Sequence, residues 1–303
     1  VSSMKPSSPP MLTSRKVCVT EIVVRPRRAA APPRPFPAKE VDEDDAVLDL
    51  PDAQRLLRNW LVREAEMPRS TSNYMDTQPA LNWTMRRILV EWMCKVCNKF
   101  KFGRETVFLA VNLADRYLSL NRCARHKLQL VSCAAMLLAS KYEEIYFSEV
   151  ADYVYISDRA YTCEQIMDME SQIVASLDWE LTVPTPYHFL TWLVKELDIP
   201  DHVPLFMARC ALVHEKLVAT DPSEIACACV VLAARHGHKL AKNVPRQDSS
   251  GLQQKILELT GLDTDSMSDT LRLVAESLTL KHTAALRQLN RISFLALQAL
   301  PPP

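Results

Sequence analysis

Residues Lys127–Tyr146 read KLQLVSCAAMLLASKYEEIY, and this stretch decides how the rest of the chain must fold. From Leu128 to Ala139 nearly every side chain is apolar or small, with only Gln129 and Ser132 interrupting. No polar face recurs at helical spacing and no Gly or Pro breaks the run. A helix apolar on nearly all sides belongs in the middle of a bundle. At about a dozen residues it is too short to cross a bilayer, which takes ~20. Its end turns abruptly charged, through Lys141, Tyr142, Glu143 and Glu144. The reading is a buried central helix that delivers a charged cluster to the surface.

Composition points the same way. Over 303 residues, 36 basic side chains balance 36 acidic ones, which argues against a dedicated nucleic-acid binder. Four glycines are few for tight β-turns or a phosphate-cradling loop, so the fold class is all-α. The nine cysteines, among them Cys133, Cys210, Cys227 and Cys229, are mostly embedded in apolar helical runs. An odd count without regular spacing fits buried free thiols in a reducing compartment better than a disulfide framework. No apolar run approaches membrane length and no signal-peptide pattern opens the chain, so no membrane association is expected.

Residues 1–50 are rich in Pro and Ser, then in Arg, Pro and Ala, then acidic from Glu40 to Asp45. Such a segment buries too little apolar surface to offset its ordering entropy and is expected to be a disordered tail. Residues 51–81 form a short helix and a connecting loop. Asp52 opens that helix, and Leu56, Leu57, Trp60 and Leu61 recur at helical spacing. A first helical series occupies 82–182, with helices near 82–100, 104–120, 124–141, 147–155 and 162–177. Pro184-Thr185-Pro186 then forces extended backbone and marks a linker. A second series occupies 183–282, with helices near 186–197, 202–219, 222–238, 249–260 and 264–280. A tail covers 283–303. In the second series Ile225–Ala234 is again nearly all apolar, mirroring the central helix of the first.

The helix at Trp83–Phe100 carries too much apolar surface for a plain surface helix. Met85, Ile88, Leu89, Trp92 and Val96 form one stripe, and Val90, Met93, Cys97 and Phe100 widen it. Either the helix is buried on two sides, or part of the stripe is a docking surface. Arg86 falls inside the arc and requires an acidic partner, for which Asp115 on the next helix is the candidate. Catalytic chemistry finds no footing. The isolated glycines build no phosphate loop, and Cys94-x-x-Cys97 lies mid-helix without a second pair. Cys210 with His214, and His236 with His238, are pairs too sparse for a metal site. No cofactor and no metal are expected.

Met85-Arg86-Arg87-Ile88-Leu89-Val90-Glu91-Trp92 resembles the signature of the A- and B-type (mitotic) cyclins. So does Lys127–Ile145, with its Lys-Leu-Gln-Leu-Val and Leu-Leu-Ala-Ser-Lys-Tyr-Glu-Glu-Ile. Tyr155-Ile156-Ser157-Asp158, Met169-Glu170 and Pro184-Thr185-Pro186 follow in the family's order. Tyr142, Ile156–Tyr161 and Leu181–Pro186 are most similar to B-type cyclins of plants and algae. The resemblance implies two tandem five-helix cyclin boxes, 82–182 and 183–282, behind the short N-terminal helix and the disordered tail. It also implies a non-catalytic role: binding and activating a cyclin-dependent Ser/Thr protein kinase as a heterodimer, in nucleus and cytoplasm, to control G2/M progression. On that likeness Lys141 and Glu170 meet at one surface to hold the kinase, flanked by Tyr142, Glu143, Leu138 and Val174, with Leu57 adding an apolar contact. Met85, Ile88, Leu89 and Trp92, with Arg125, Leu128 and Gln129, correspond to a patch that docks substrates or inhibitors bearing Arg/Lys-x-Leu. Arg86 and Asp115 correspond to a structural ion pair.

Two departures from the family pattern stand out. Lys95 replaces an acidic residue of the docking patch, leaving Glu91 to retain part of the preference for a basic ligand. No convincing Arg-x-x-Leu destruction box occurs in residues 1–50, and Arg58-x-x-Leu61 lies on an expected helix. A rival reading is a transcription-factor-type double cyclin fold that binds DNA or the transcription machinery. That reading requires a basic face, which the balanced charge disfavours.

Overall fold

The computed structural model describes residues 52–67, 70, 73–240 and 249–280, the side chains of 237–240, 249 and 250 excepted. The expected tails at 1–50 and 283–303 lie outside the described residues. Within them the chain is all-helical: α1 Asp52–Glu66, α2 Trp83–Phe100, α3 Thr106–Leu120, α4 Leu128–Glu143, α5 Val150–Ile156 and α6 Cys163–Ser176, then α7 Pro186–Glu196, α8 His202–Ala211, α9 Pro222–Leu240, α10 Ser249–Thr260 and α11 Ser268–Ser277. Short 3-10 turns at Tyr74–Thr77, Arg125–Lys127 and Glu215–Leu217 join them. None of the described helices is long and apolar enough to cross a membrane.

Local chemistry sets where several helices begin. Asn82 accepts the amide of Met85 at 3.0 Å and starts α2. Capping boxes open α5, from Glu149 and Asp152, and α6, from Thr162 and Gln165. Pro186 occupies the first turn of α7 behind Thr185, where its missing N–H leaves no helical bond unmade. Each such cap contributes on the order of 1 kcal/mol.

Helix α4 is the hub of the first five-helix bundle. Leu128 and every residue from Leu130 to Ser140 are buried, and the helix packs on α2, α3, α5 and α6. Helix α9 repeats the arrangement, buried from Ile225 to Ala234 and packed on α7, α8, α10 and α11. None of the eight described cysteines forms a disulfide, and seven of them are buried. Burial pushes the thiols of Cys133 and Cys227 up to about 12, so they are packing groups rather than nucleophiles.

Arg86 joins the two bundles. Its guanidinium is 3% exposed and donates from Nε to Asp115 Oδ1 at 2.8 Å and from Nη2 to Oδ2 at 2.6 Å. Tyr74 donates its hydroxyl to the same Oδ1 at 2.8 Å. The third guanidinium nitrogen donates to the Leu212 carbonyl at 2.9 Å, across to the second bundle. Next to that bond the structure differs from the sequence reading, in which one helix runs over 202–219. In a continuing helix the Leu212 carbonyl would accept from the Lys216 amide. Instead α8 stops at Ala211, where the amides of Val213 and His214 tighten onto the Cys210 and Ala211 carbonyls; just beyond, Arg86 holds the Leu212 carbonyl and the Lys216 amide donates to His214 Nδ1 at 3.3 Å. Burial holds the His214 imidazole below its usual pKa despite Glu276 and Glu215 nearby.

Helix α1 is a strap rather than a lead-in. Trp60 meets His188 and Phe189 edge-on at 5.4 and 5.9 Å between centroids. Trp192 donates its indole N–H to the Ala53 carbonyl at 2.8 Å. Buried Glu64 accepts from both the amide and the hydroxyl of Ser223 at 2.7 Å. A carboxylate there satisfies an open N–H of α9 and opposes the positive end of that helix.

Candidate functional site

The charged end of α4 emerges beside α6. Lys141 Nζ lies 2.8 and 2.9 Å from the two carboxylate oxygens of Glu170, so residues 29 positions apart form one surface ion pair. The Lys141 side chain is 38% exposed and that of Glu170 14%. Both sit on rigid helices whose other faces are core, so little side-chain entropy is left to lose when a partner binds. A lysine with donors to spare and a carboxylate with acceptors to spare can together recognise exposed backbone.

The neighbourhood is apolar and under-covered. Tyr142 is 45% exposed, and past the helix end Ile145, Tyr146 and Phe147 are 89%, 92% and 53% exposed. A contiguous apolar surface of this kind marks an interaction site. Sequence reasoning missed Ile145, Tyr146 and Phe147. The signal was there: three large apolar side chains outside any helical period, immediately after the charged cluster. Tyr142 also hydrogen-bonds the Thr182 hydroxyl, and the Thr182 carbonyl accepts from Arg63 Nε at 2.9 Å. The surface therefore rests on the linker and on α1.

Glu144 turns inward, accepting from the Gly103 amide at 2.6 Å and from the Thr106 hydroxyl. It locks the α2–α3 turn against the end of α4. Glu143 lies between this lock and the surface. Burial, then the charges of Glu105 and Glu144, push its carboxyl up to about 7 from an ordinary 4.5. The folded chain therefore holds a proton that the unfolded chain releases, and this contribution is present below pH 4.5 and lost as pH rises through about 7. Thermal melts of the native chain should fall more between about pH 5 and pH 8 than those of Glu143→Gln. Equal falls would show that Glu143 ionises as an ordinary carboxylate.

Not every residue expected at this surface reaches it. Leu57 is 3% exposed and faces the core, because α1 turns that side inward as it straps the bundles. The apolar groups that α1 offers to solvent are Leu56, at 44%, and Val62, at 40%. Leu138 and Val174 are each 8% exposed and form the floor under the ion pair rather than its rim.

The second candidate surface lies at the start of α2. Ile88 is 53% exposed, Met85 and Trp92 are half-buried, and Leu89 and Leu128 are its buried floor. Gln129 is half-buried beside them and Arg125 is exposed. Gln78, just before α2, pins the α3–α4 turn in place: its amide donates to the Leu118 and Asn121 carbonyls at 2.7 and 2.6 Å and accepts from the Cys123 amide at 2.8 Å. That brings Arg125 and the start of α4 to the same end of the molecule as Met85.

Residues 56–182 match the family description "Cyclin, N-terminal domain" and residues 184–303 match "Cyclin, C-terminal domain". The chain belongs to the cyclin family. Among its relatives, "G2/mitotic-specific cyclin-2" of Antirrhinum majus is 35% identical over 76% of this cyclin and 53% of the relative. "G2/mitotic-specific cyclin S13-7" of Glycine max is 45% identical over 54% of this cyclin and 64% of the relative. "Cyclin-B1-1" of Oryza sativa subsp. japonica is 38% identical over 74% and 50%. The chain thus spans about half the length of most of these relatives. A viral cyclin from herpesvirus saimiri superposes with a TM-score of 0.64 at 22% identity, covering 74% of this cyclin and 97% of the viral chain. That likeness bears on the fold, which is the double cyclin box.

In this cyclin the second candidate surface departs further from the family pattern than the sequence indicates. Lys95 Nζ lies 2.8 Å from Glu91 Oε1, one helical turn away. Glu91 was expected to retain part of a preference for basic ligands, but Lys95 already occupies that oxygen.

Proposed function

We propose that this cyclin is the non-catalytic regulatory subunit of a cyclin-dependent Ser/Thr protein kinase that acts at G2/M, in nucleus and cytoplasm. The observation that carries the reading is the Lys141–Glu170 pair, exposed on rigid helices beside the uncovered Tyr142, Ile145, Tyr146 and Phe147. The G2/mitotic relatives support the phase. Lys141 would donate to, and Glu170 accept from, backbone groups of the kinase, while the aromatic cluster buries against its regulatory helix. Activation follows if that helix is moved so that its Glu pairs with the Lys that contacts ATP. The cyclin performs no chemistry itself.

The second surface would recruit substrates. A peptide Leu entering between Met85, Ile88 and Trp92 over Leu89 gains ~1.5–3 kcal/mol if fully desolvated. Domain boundaries at 82–182 and 183–282 accord with bundles centred on α4 and α9. The test is reconstitution: the recombinant chain added to a purified cyclin-dependent kinase should confer histone kinase activity. A shifted DNA probe without kinase activation would favour the DNA-binding rival. Within the active complex, Trp92→Ala should raise KM for substrates carrying a docking Leu by about tenfold and spare a short peptide lacking one. Equal loss on both would assign Trp92 to the core.

A further inference from the structure

The border of the docking surface is positively charged along its described length. On α2, Glu91 and Trp92 lie three and four residues after Ile88, and Lys95 three and four after them, so the four share a face. Lys95 is the exposed member at one end, and its partner Glu91 is the acidic residue on that face. At the other end stands the α3–α4 turn, held beside the start of α2 by Gln78. That turn presents Arg122, Arg125 and Lys127, all exposed, and among the described residues none of the three forms a side-chain ion pair. Against these stand exposed Asp76 on the turn before α2, and Asp158 and Glu164 with Arg159 on the segment whose Tyr161 donates to the His126 carbonyl, so that the named groups still sum to a positive charge.

We infer that this docking surface selects peptides with acidic or phosphorylated residues next to their apolar anchor, and rejects those with Arg or Lys there. The inference rests on the reading of this patch as a substrate-docking site. A basic residue arriving beside the anchor would meet Lys95 and the α3–α4 turn, and would have to compete with Lys95 for Glu91. A carboxylate or phosphate meets free cationic donors instead, and like-charge juxtaposition is what excludes wrong partners at such borders. The charges surround an exposed apolar group rather than tracking along a groove. This fits a short peptide with one Leu better than a nucleic-acid backbone.

The test uses the full chain and three labelled peptides that share a Leu anchor and differ in the two preceding residues: Asp-Asp, Ala-Ala or Arg-Arg. Fluorescence anisotropy should rank them in that order, with about tenfold between first and last, since each exposed charge contact contributes modestly. The spread should narrow at high salt, where exposed charges are screened. Lys95→Glu should reverse the order, and Trp92→Ala should weaken all three. Tightest binding of the Arg-Arg peptide, still lost in Trp92→Ala, would overturn the charge preference and leave the docking site standing. Binding of all three untouched by Trp92→Ala would overturn the docking site itself. A DNA duplex bound more tightly than the Asp-Asp peptide, and indifferent to Trp92→Ala, would overturn the proposal in favour of a nucleic-acid surface.

Discussion

Replacing Lys141 and Glu170 together by Ala is expected to lower affinity for a cyclin-dependent kinase by at least about a hundredfold, and so to abolish activation. The reason is geometric. In the proposed interface the two side chains are the donor and the acceptor that a rigid surface offers to backbone groups, so truncating either would leave its kinase partner desolvated without a bond. The pair is worth little to the fold, because an exposed ion pair contributes ~0.2–1 kcal/mol and Ala is favourable in both helices. Helicity and melting temperature should therefore stay near those of the native chain. A second variant separates recognition from charge: Lys141→Glu with Glu170→Lys keeps an ion pair but exchanges donor and acceptor, and should remain inactive. Titration of kinase activity against each variant checks this. Unchanged activation by the double Ala variant would remove these residues from the interface.

Arg86→Ala is expected to have the opposite profile, costing ~3–5 kcal/mol of stability while touching no proposed partner surface. Burial works against the charge on Arg86, and Asp115 more than offsets it, holding the guanidinium above its usual pKa. Removing the guanidinium leaves Asp115 buried, with the Tyr74 hydroxyl as its remaining strong donor, and releases the Leu212 carbonyl. Both bundles should loosen at their junction. Denaturant unfolding should show a lower midpoint, and amide exchange should accelerate first over residues 212–217. A loss below about 1 kcal/mol would mean that water reaches Asp115 readily in the variant.

Much of the architecture was legible in one dimension. An apolar run such as 128–139 demands burial whatever surrounds it, so the hub of the first bundle could be read from composition alone. The same holds for the break at Pro184 and Pro186 and for the capping boxes, whose partners lie three residues apart. Even the neutralisation of Glu91 was written in its spacing of four from Lys95, though its meaning needed the exposed surface around it. Other features arise only when distant segments meet. Periodicity placed Leu56 and Leu57 on one stripe, and only the docking of α1 against α7 and the linker decided which turned inward. No Gly or Pro stands between Leu212 and Thr220 to mark the end of α8 at Ala211 in the sequence. The chain tightens there through the Val213 and His214 amides, and Arg86, 126 residues away, then ties the Leu212 carbonyl to the first bundle. Composition and period therefore determined the helices and their burial. Packing decided that Lys141 meets Glu170, that Glu143 keeps its proton to about pH 7, and that the α3–α4 turn borders α2. Those properties depend on distances between groups, and a chain acquires such distances only when it folds.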